Sequence, residues 1–382
     1  MPRLAKSVAQ MRRSGIREIM DLAGTLTDVI HLEVGDPNFD TPSHIVEAAC
    51  EAARQGYTHY TPNAGLRSLR EKLVQKLARV NGLSVTVDNI VVTTGAVGGI
   101  ASALAAITEP GDEILIPDPG WPNYEMMVAV NRAVLRRYPL SQADGYLPNL
   151  AVLEREIGPR TRAILTNSPS NPAGSVLPRQ LVEQLAEIAR RHDLFLISDE
   201  VYEEIVFDGE HVSALRFDTD GRIISVFGFS KTYAMTGWRL GYVVASPEIA
   251  TVVAKLQEPL VSSASAISQK AGEAALDGPQ DCVAAMCAAY RRRRDLAVTL
   301  LTQLGVPFTP PSGAFYLLAD ISASGMDSYT FAKGLLSEAH VAVAPGETFG
   351  PSTRSCVRIS LATSEDQLVE GIKRLAAYLK SR

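Results

Sequence analysis

Residues 222–246 have the sequence RIISVFGFSKTYAMTGWRLGYVVAS. Two apolar strand candidates, 222–228 and 241–246, enclose a segment rich in hydroxyl, aromatic and glycine residues. Strands of this apolar character are typical of the buried interior of a sheet. Lys231 follows the first strand directly. It is therefore expected at the carboxyl edge of the sheet, where open α/β folds bind their ligands.

Upstream of this segment, short apolar strands alternate with helical patterns. The strand candidates are 89–94, 112–117, 133–138, 163–167 and 194–199, and two of the helical stretches are 98–107 and 178–193. Apolar strands interleaved with helices predict a mostly parallel sheet that helices cover on both faces. Together with the two strands above, the pattern predicts a large α/β domain with seven strands.

The pattern changes near residue 286. A long helix leads into GAFYLLAD (313–320), and VAVAPG (341–346), CVRISLA (356–362) and a final helix follow. This order predicts a smaller α+β domain, and a chain of 382 residues suits two domains. The predicted division is an N-terminal segment 1–40 that packs with the small domain, a large domain 41–285 and a small domain 286–382.

Composition and charge exclude several classes of protein. Hydrophobic residues make up 46% and charged residues 21% of a chain whose net charge is −5. This balance is typical of a soluble globular protein. It offers no basic stripe for a nucleic acid. Because the chain has neither a secretory apolar core nor a membrane-length apolar run, we expect a cytoplasmic protein without membrane or nucleic-acid partners.

The remaining charge and cysteine patterns have simple interpretations. Arg291 to Arg294 form a dense basic run in a helical stretch, interpreted as a solvated helix face. The four cysteines show no C-x-x-C spacing and are interpreted as buried small residues in a reducing compartment. No histidine pattern has metal-ligand spacing, so we expect no metal site.

Polar, glycine and aromatic residues follow several strands. Gly95-Ala96-Val97 precede a helix and could hold a phosphate with backbone N–H groups, or form only a turn. Trp121 follows the second strand and could stack on an aromatic ligand, or be a core residue. Asn167 and Asn171 bring amides to the same edge, where Asn-Pro could equally start a turn. No single residue here decides the function.

Charged residues follow the next two strands. Asp199 ends an apolar strand, so its carboxylate needs a partner such as a protonated ring nitrogen, unless it forms an ordinary salt bridge or helix cap. A desolvated Lys231 could form an imine with a carbonyl. Arg239 suits a phosphate dianion. Residues 228–232 lack the final glycine of G-x-S-x-G, which excludes that hydrolase motif. Together these groups match the contacts that pyridoxal 5′-phosphate (PLP) needs.

At this point the chain resembles the class I/II aminotransferases of PLP fold type I, close to the bacterial aspartate/prephenate aminotransferase group. The motifs that carry the resemblance are VGDPNFDTP (34–42), YTPNAGLRSLREKL (60–73), SPSNPAG (168–174), SDEVY (198–202), SKTYAMTGWRLGY (230–242), PSGAFY (311–316) and VRISLATSED (357–366). They span nearly the whole chain. The resemblance implies an aspartate-aminotransferase-like fold and an enzyme that moves an amino group between an L-amino acid and a 2-oxo acid by a ping-pong mechanism.

The resemblance also implies a role for each matching residue. Lys231 would hold PLP as a Schiff base and move the Cα proton, while Asp199 would pair with the ring nitrogen. Tyr202 and Asn171 would hydrogen-bond the phenolic oxygen, and Trp121 would stack on the ring. The residues expected around the cofactor phosphate are Gly95, Ala96, Val97, Ser230 and Arg239.

Two further sites follow from the resemblance. Tyr60 would reach the phosphate bound by a neighbouring subunit, which implies a homodimer with shared active sites. Arg358, aided by Gly35 and Asn171, would clamp the α-carboxylate of the substrate in a bidentate fork.

The sequence departs from the family pattern at two positions. Gly228 stands where many relatives have a phosphate-binding serine, which predicts one hydrogen bond fewer to the phosphate. Val97 stands where acid-specific members carry lysine, which predicts that the enzyme does not depend on an acidic donor. Arg12, Arg13 or Arg17 could serve an acidic partner instead.

Other PLP chemistries stay open at this stage. A C–S β-lyase, a decarboxylase or an enzyme like aminocyclopropanecarboxylate synthase would share most of these residues. Arg358 favours transamination over decarboxylation, because it would hold the carboxylate. A non-catalytic PLP-binding regulator would need a DNA-binding domain before the aminotransferase-like pattern, which begins by about residue 30.

Overall fold

The computed structural model describes residues 5–9, 11 and 13–382. Its strands are β1 (Ile30–His31), β2 (Ile90–Thr93), β3 (Glu113–Asp118), β4 (Val134–Pro139), β5 (Thr161–Asn167), β6 (Phe195–Asp199), β7 (Ile223–Gly228), β8 (Gly241–Val244), β9 (Tyr316–Asp320), β10 (Val341–Ala342), β11 (Ala344–Pro345) and β12 (Cys356–Ser360). Its helices are α1 (Lys6–Ala9), α2 (Gly15–Ala23), α3 (Ser43–Arg54), α4 (Arg67–Lys76), α5 (Gly95–Ile107), α6 (Asn123–Val130), α7 (Leu150–Arg155), α8 (Arg179–Arg191), α9 (Phe229–Thr232), α10 (Pro247–Val261), α11 (Ala266–Asp277), α12 (Asp281–Leu304), α13 (Ser328–Ala339) and α14 (Glu365–Lys380).

The central feature is a seven-stranded sheet in the order β2-β8-β7-β6-β5-β3-β4. The five strands from β7 to β4 run parallel to one another, and β8 runs antiparallel to both β2 and β7. The predicted seven-stranded, mostly parallel sheet is therefore confirmed, and each predicted strand is found within two residues of its expected bounds.

Helices cover both faces of this sheet. Successive side chains of a strand point to opposite faces. Leu115, Ile164 and Leu196 pack with buried residues of α8 on one face. Ile116 and Ile197 pack with α5, α6 and α10 on the other. This double coverage explains why the central strands are apolar along their whole length.

The C-terminal part of the chain forms a second structure around the antiparallel sheet β11-β12-β9. The N-terminal elements pack here as well. Strand β1 pairs in parallel with β10. Ile19 of α2 and Leu32 join one hydrophobic cluster with Leu335, Ile359 and Leu375. The N-terminal segment, as far as it is described, therefore packs against elements that are distant from it in sequence.

The arginine run on α12 is not a solvated face throughout. Arg293 and Arg294 are buried. Arg293 donates to Asn38 Oδ1 at 2.8 Å, and Arg294 donates to the Pro311 carbonyl at 2.8 Å and to Asp208 at 2.5 Å. The sequence interpretation was wrong for these two positions, because their guanidinium groups find hydrogen-bond acceptors in other segments of the folded chain instead of in water.

The cysteine interpretation was also wrong in part. Cys356 is buried, but Cys50 is exposed and Cys282 and Cys287 are only partly buried. Within the described residues, no helix is long and apolar enough to cross a membrane. No group of histidine, cysteine and carboxylate side chains in that same part of the chain is arranged to hold a metal ion.

Candidate active site

A cavity of about 990 Å³ opens at the carboxyl edge of the seven-stranded sheet. Because parallel strands end together there, their following residues meet in one place. The predicted site residues that line it are Gly35, Ala96, Val97, Trp121, Asn171, Asp199, Tyr202, Ser230, Lys231, Arg239 and Arg358. The N-terminal segment closes one side with Val8, Met11, Arg13, Ser14, Ile16, Arg17 and Met20.

Lys231 lies in the short helix α9, directly after β7, and its side chain reaches the cavity. Its Nζ donates to the Gly35 carbonyl at 2.5 Å. Burial lowers the pKa of Lys231 from 10.5 to about 8; Asp36 opposes this shift, and the positive charges of Arg358 and Arg239 add to it. The neutral, nucleophilic form of this amine is therefore more populated near neutral pH than that of an ordinary lysine.

Asp199 ends β6 and is 3% exposed. Burial raises the pKa of Asp199 to about 6, against the hydrogen bond of Tyr124, which lowers it. The Tyr124 hydroxyl donates to Oδ2 at 2.6 Å, and the Val201 amide donates to Oδ1 at 3.3 Å. A buried carboxylate with two donors remains ionised more easily beside a further positive partner, and a protonated ring nitrogen would be one.

Tyr124 was not predicted as a site residue. It lies in the first turn of α6, three residues after Trp121, and their rings meet edge to face at 5.4 Å between centroids. A tyrosine shortly after a Pro-rich loop is a common sequence feature and does not by itself indicate an active-site residue. Only the packing of α6 on the sheet shows that its hydroxyl reaches Asp199.

Asparagine side chains tie the ends of the neighbouring strands together. Asn167 donates its amide to the Asp199 carbonyl at 3.0 Å and accepts from the Asn171 backbone amide at 2.8 Å. Asn171 Oδ1 in turn accepts from Arg358 Nη1 at 3.0 Å. One chain of hydrogen bonds thus connects the sheet edge with Arg358 on β12.

Arg358 is almost fully buried at the base of the cavity. Its guanidinium lies 4.3 Å from the ring centre of Tyr316 and 4.9 Å from that of Phe349, and it also donates to the Glu33 carbonyl. Its Nε–H has no hydrogen-bond partner among the described residues. An unmet donor on a buried guanidinium is costly, and a carboxylate is its natural acceptor.

Tyr202 and Tyr316 meet over the cavity floor. Their hydroxyl oxygens are 3.0 Å apart. A side chain at Gly35 would collide with this pair, because its Cβ would lie 2.2 Å from the Tyr316 hydroxyl oxygen. Tyr316 was not predicted as a site residue, although it ends the PSGAFY motif.

The opposite end of the cavity is suited to an anion. Gly95 opens α5 with φ +70°, and a Cβ there would lie 2.5 Å from Arg239 Nη2. The exposed Arg239 guanidinium thus lies against the N-terminus of a 13-residue helix, where Ala96 and Val97 line the cavity. A helix N-terminus and a guanidinium together are a suitable cradle for a phosphate. Gly95 itself does not line the cavity but directly precedes the two residues that do.

Three other predicted positions have distinct locations. Tyr60 is 90% exposed and does not line the cavity of its own chain. Gly228 and Val97 both line it. Of the arginines considered for an acidic substrate, Arg13 is paired with Asp21 at 2.6 Å and Arg12 lies outside the described residues.

The chain is similar to known proteins over nearly its whole length. The model of the family described as aminotransferase class I and II matches residues 27–375. The aspartate aminotransferase of Pyrococcus horikoshii is 38% identical over 381 residues, 99% of this chain and 97% of that protein. The aspartate/prephenate aminotransferase of Thermus thermophilus is 39% identical over 373 residues, 97% of this chain and 93% of that protein. A solved structure of aspartate aminotransferase from Thermus thermophilus with maleate has a TM-score of 0.95 at 39% identity and covers 99% of this chain and 100% of that one, which confirms the expected fold.

Proposed function

Since this chain belongs to the class I and II aminotransferases, and is an enzyme that transfers amino groups between amino acids and 2-oxo acids, we propose that PLP is its cofactor and binds in the cavity described above. The relatives are aminotransferases by name and do not favour the lyase alternative. Bound PLP would supply a carbonyl that joins amines and a ring that draws electrons from the substrate Cα–H bond.

One observation carries this proposal: Lys231, with a pKa near 8, and Asp199, a buried carboxylate, line the same cavity. Lys231 would supply the amine that joins the cofactor carbonyl and would afterwards carry a proton at its Nζ. The Asp199 carboxylate would keep the ring nitrogen of the cofactor protonated. Trp121 would cover one face of the ring and exclude water from it.

The remaining contacts fit the other groups of the cofactor. Tyr202 and Asn171 lie beside Asp199 at the strand edge and would hydrogen-bond the phenolic oxygen. Backbone amides of 95–97, with Ser230 and Arg239, would hold the phosphate. Arg358, which lines the cavity, would bind the substrate α-carboxylate, with the Gly35 backbone beside it. A single site of this kind would serve donor and acceptor in turn, which predicts ping-pong kinetics.

We propose in addition that the active enzyme is a homodimer with shared sites. The exposed Tyr60 is accompanied by exposed apolar side chains at the end of α10, Leu260 at 60% and Val261 at 45%. The Thr61 amide donates to Ser263 Oγ at 3.4 Å, which holds the two segments together. Clustered exposed apolar side chains are typical of an interface. A second copy would cover them and receive Tyr60 at its phosphate.

The packing also supports the division into 1–40, 41–285 and 286–382, which we retain as a proposal. Helix α2 and strand β1 contact β10, α13 and α14, as an N-terminal segment of the small domain would. A cytoplasmic location stays a prediction of the sequence.

Borohydride reduction tests the cofactor assignment. We expect purified protein reconstituted with PLP to be yellow and to carry the reduced cofactor on Lys231 after peptide mapping. The Lys231→Ala variant should carry no label, and Asp199→Ala should retain label but lose most turnover. A label on another lysine, or near-normal turnover of Asp199→Ala, would contradict the proposal. Dependence of product formation on an added 2-oxo acid separates transamination from elimination.

A further inference from the structure

The turn segment 233–240, which includes Arg239, connects the end of α9 with the start of β8. Two of its residues other than glycine, Ala234 and Arg239, both have a φ of +52°. Residues with a Cβ rarely adopt this left-handed conformation, and it persists only where surrounding contacts enforce it. The backbone path that brings Arg239 to the cavity therefore depends on groups outside the turn segment.

One such group is the hydroxyl of Thr41, which lies just before α3 and far from the turn segment in sequence. Thr41 Oγ1 donates to the Ala234 carbonyl at 2.6 Å and accepts from Trp238 Nε1 at 3.0 Å. A hydroxyl can donate one hydrogen bond and accept another at the same time. This single side chain therefore binds the turn segment at the first left-handed residue and again directly before the second.

The same turn also holds the guanidinium of Arg239. Arg239 Nη1 donates to the Thr236 carbonyl at 2.7 Å, between the two points that Thr41 binds, and Nη2 lies against Gly95. Arg239 and Thr236 line the cavity, whereas Thr41 does not. Thr41 can thus affect an anion in the cavity only through the position of the turn segment.

A second side-chain bond joins the same two stretches of chain, but it is less protected from water. The Thr236 hydroxyl donates to Asp36 Oδ1 at 2.7 Å in an exposed position. Both bonds of Thr41 are partly buried. Because water competes less with a hydrogen bond in the protein interior, the bonds of Thr41 are the stronger constraint on the turn.

We propose that Thr41 is a positioning residue for the cofactor phosphate: its hydroxyl fixes the left-handed turn that holds the Arg239 guanidinium at the N-terminus of α5. The inference rests on the proposed PLP site and adds to it a residue that does not line the cavity.

The test compares PLP with pyridoxal, which has the same aldehyde and ring but no phosphate. The ratio of their dissociation constants, from absorbance titration of apoenzyme, reports the phosphate contacts and cancels any loss that affects both ligands alike. We expect wild-type protein to prefer PLP. Thr41→Val has nearly the same shape without the hydroxyl and should lose about tenfold of this preference, the scale of one hydrogen bond to a charged group. Thr41→Ser keeps the hydroxyl and should retain most of it.

Thr251→Val is the matched control. It removes a hydroxyl that donates to a backbone carbonyl at 2.8 Å on α10, away from the cavity lining, and should leave the ratio unchanged. If Thr41→Val does not fold, Trp238→Phe removes only the indole donor and should lower the preference for PLP in the same direction.

An unchanged ratio in folded Thr41→Val, or in Trp238→Phe where that variant replaces it, would overturn the proposal. So would a loss of preference in Thr41→Ser as large as that in Thr41→Val. A wild-type protein that binds PLP no more tightly than pyridoxal would instead refute the phosphate site on which the proposal rests.

Discussion

At the level of single residues, the pKa of Lys231 has a direct consequence for pH dependence. The neutral amine is the nucleophile, and with a pKa of about 8 it is abundant above pH 8 and lost below it. We expect the rate of covalent PLP attachment to apoenzyme to rise with pH to a midpoint near 8. Asp36→Asn should lower this midpoint, because Asp36 raises the pKa of Lys231. Stopped-flow absorbance gives the profile, and a midpoint near 10.5 would refute the assignment.

Val97 makes a prediction about the amino donor. It lines the cavity beside Trp121, and neither side chain offers charge to a distal carboxylate. An unpaired carboxylate buried there would be costly, whereas an apolar side chain would not. We therefore expect kcat/KM for aspartate not to exceed that for phenylalanine, leucine and methionine with one shared acceptor.

The matched variant is Val97→Lys, which should raise kcat/KM for aspartate relative to phenylalanine. If the unmodified enzyme favours aspartate by more than about tenfold, or roughly 1.4 kcal/mol, the inference from Val97 is wrong. Arg17, which also lines the cavity, would then be the first residue to replace.

Among the elements, the turn into α5 carries a prediction about the phosphate. Gly95→Ala combines a strained φ of +70° with a Cβ at 2.5 Å from Arg239 Nη2. Gly111→Ala is its control, because φ there is +97° but a Cβ meets nothing within 4 Å. Both variants should lose about 1 kcal/mol of stability from backbone strain. Only Gly95→Ala should weaken PLP binding in equilibrium titration; equal binding by both variants would contradict the proposed cradle.

The element scale also shows what sequence could predict. The ends of the predicted strands placed Lys231 and Asp199 at the same edge of the sheet. This was possible because hydrophobic periodicity and strand length are local properties of the sequence. Tyr124 and Tyr316 could not be found in this way. Each acts through a contact between elements far apart in the chain, and such contacts depend on helix docking and loop path. Their residue types in the sequence are equally compatible with an ordinary core.

The same reason explains the errors. Arg293 and Arg294 were interpreted as solvated, because the sequence shows the run of charges on a helix but not the groups that these charges contact in the folded chain. Those partners, Asn38 and Asp208 among them, come from segments that α12 meets only after folding. Burial of a polar side chain is thus the property least accessible to reading along the chain.

For the whole molecule, the shared site predicts complementation. Lys231→Ala and Tyr60→Phe chains, each impaired as a homodimer, should regain activity when they are mixed and reassembled. One site of the heterodimer would then combine an intact Lys231 with an intact Tyr60. Activity of hybrids separated by affinity tags gives the measurement. Impairment of the Tyr60→Phe homodimer must be shown first, and a fully active monomer would contradict the arrangement.

The antiparallel strand β8 has a further consequence. The chain leaves the sheet on β7 and returns on β8, with Gly228 and Gly241 opposite each other. Lys231 and Arg239 therefore lie on one short connection, residues 229–240, whose two ends are held by paired strands. The length of this connection limits how far apart the Lys231 amine and the Arg239 guanidinium can lie. An insertion or deletion within residues 229–240 would alter the separation of these two groups. Attempts to change the substrate preference should therefore keep residues 229–240 at their present length. Substitutions at Val97 or in the N-terminal segment are better choices, because they leave the register of the sheet intact.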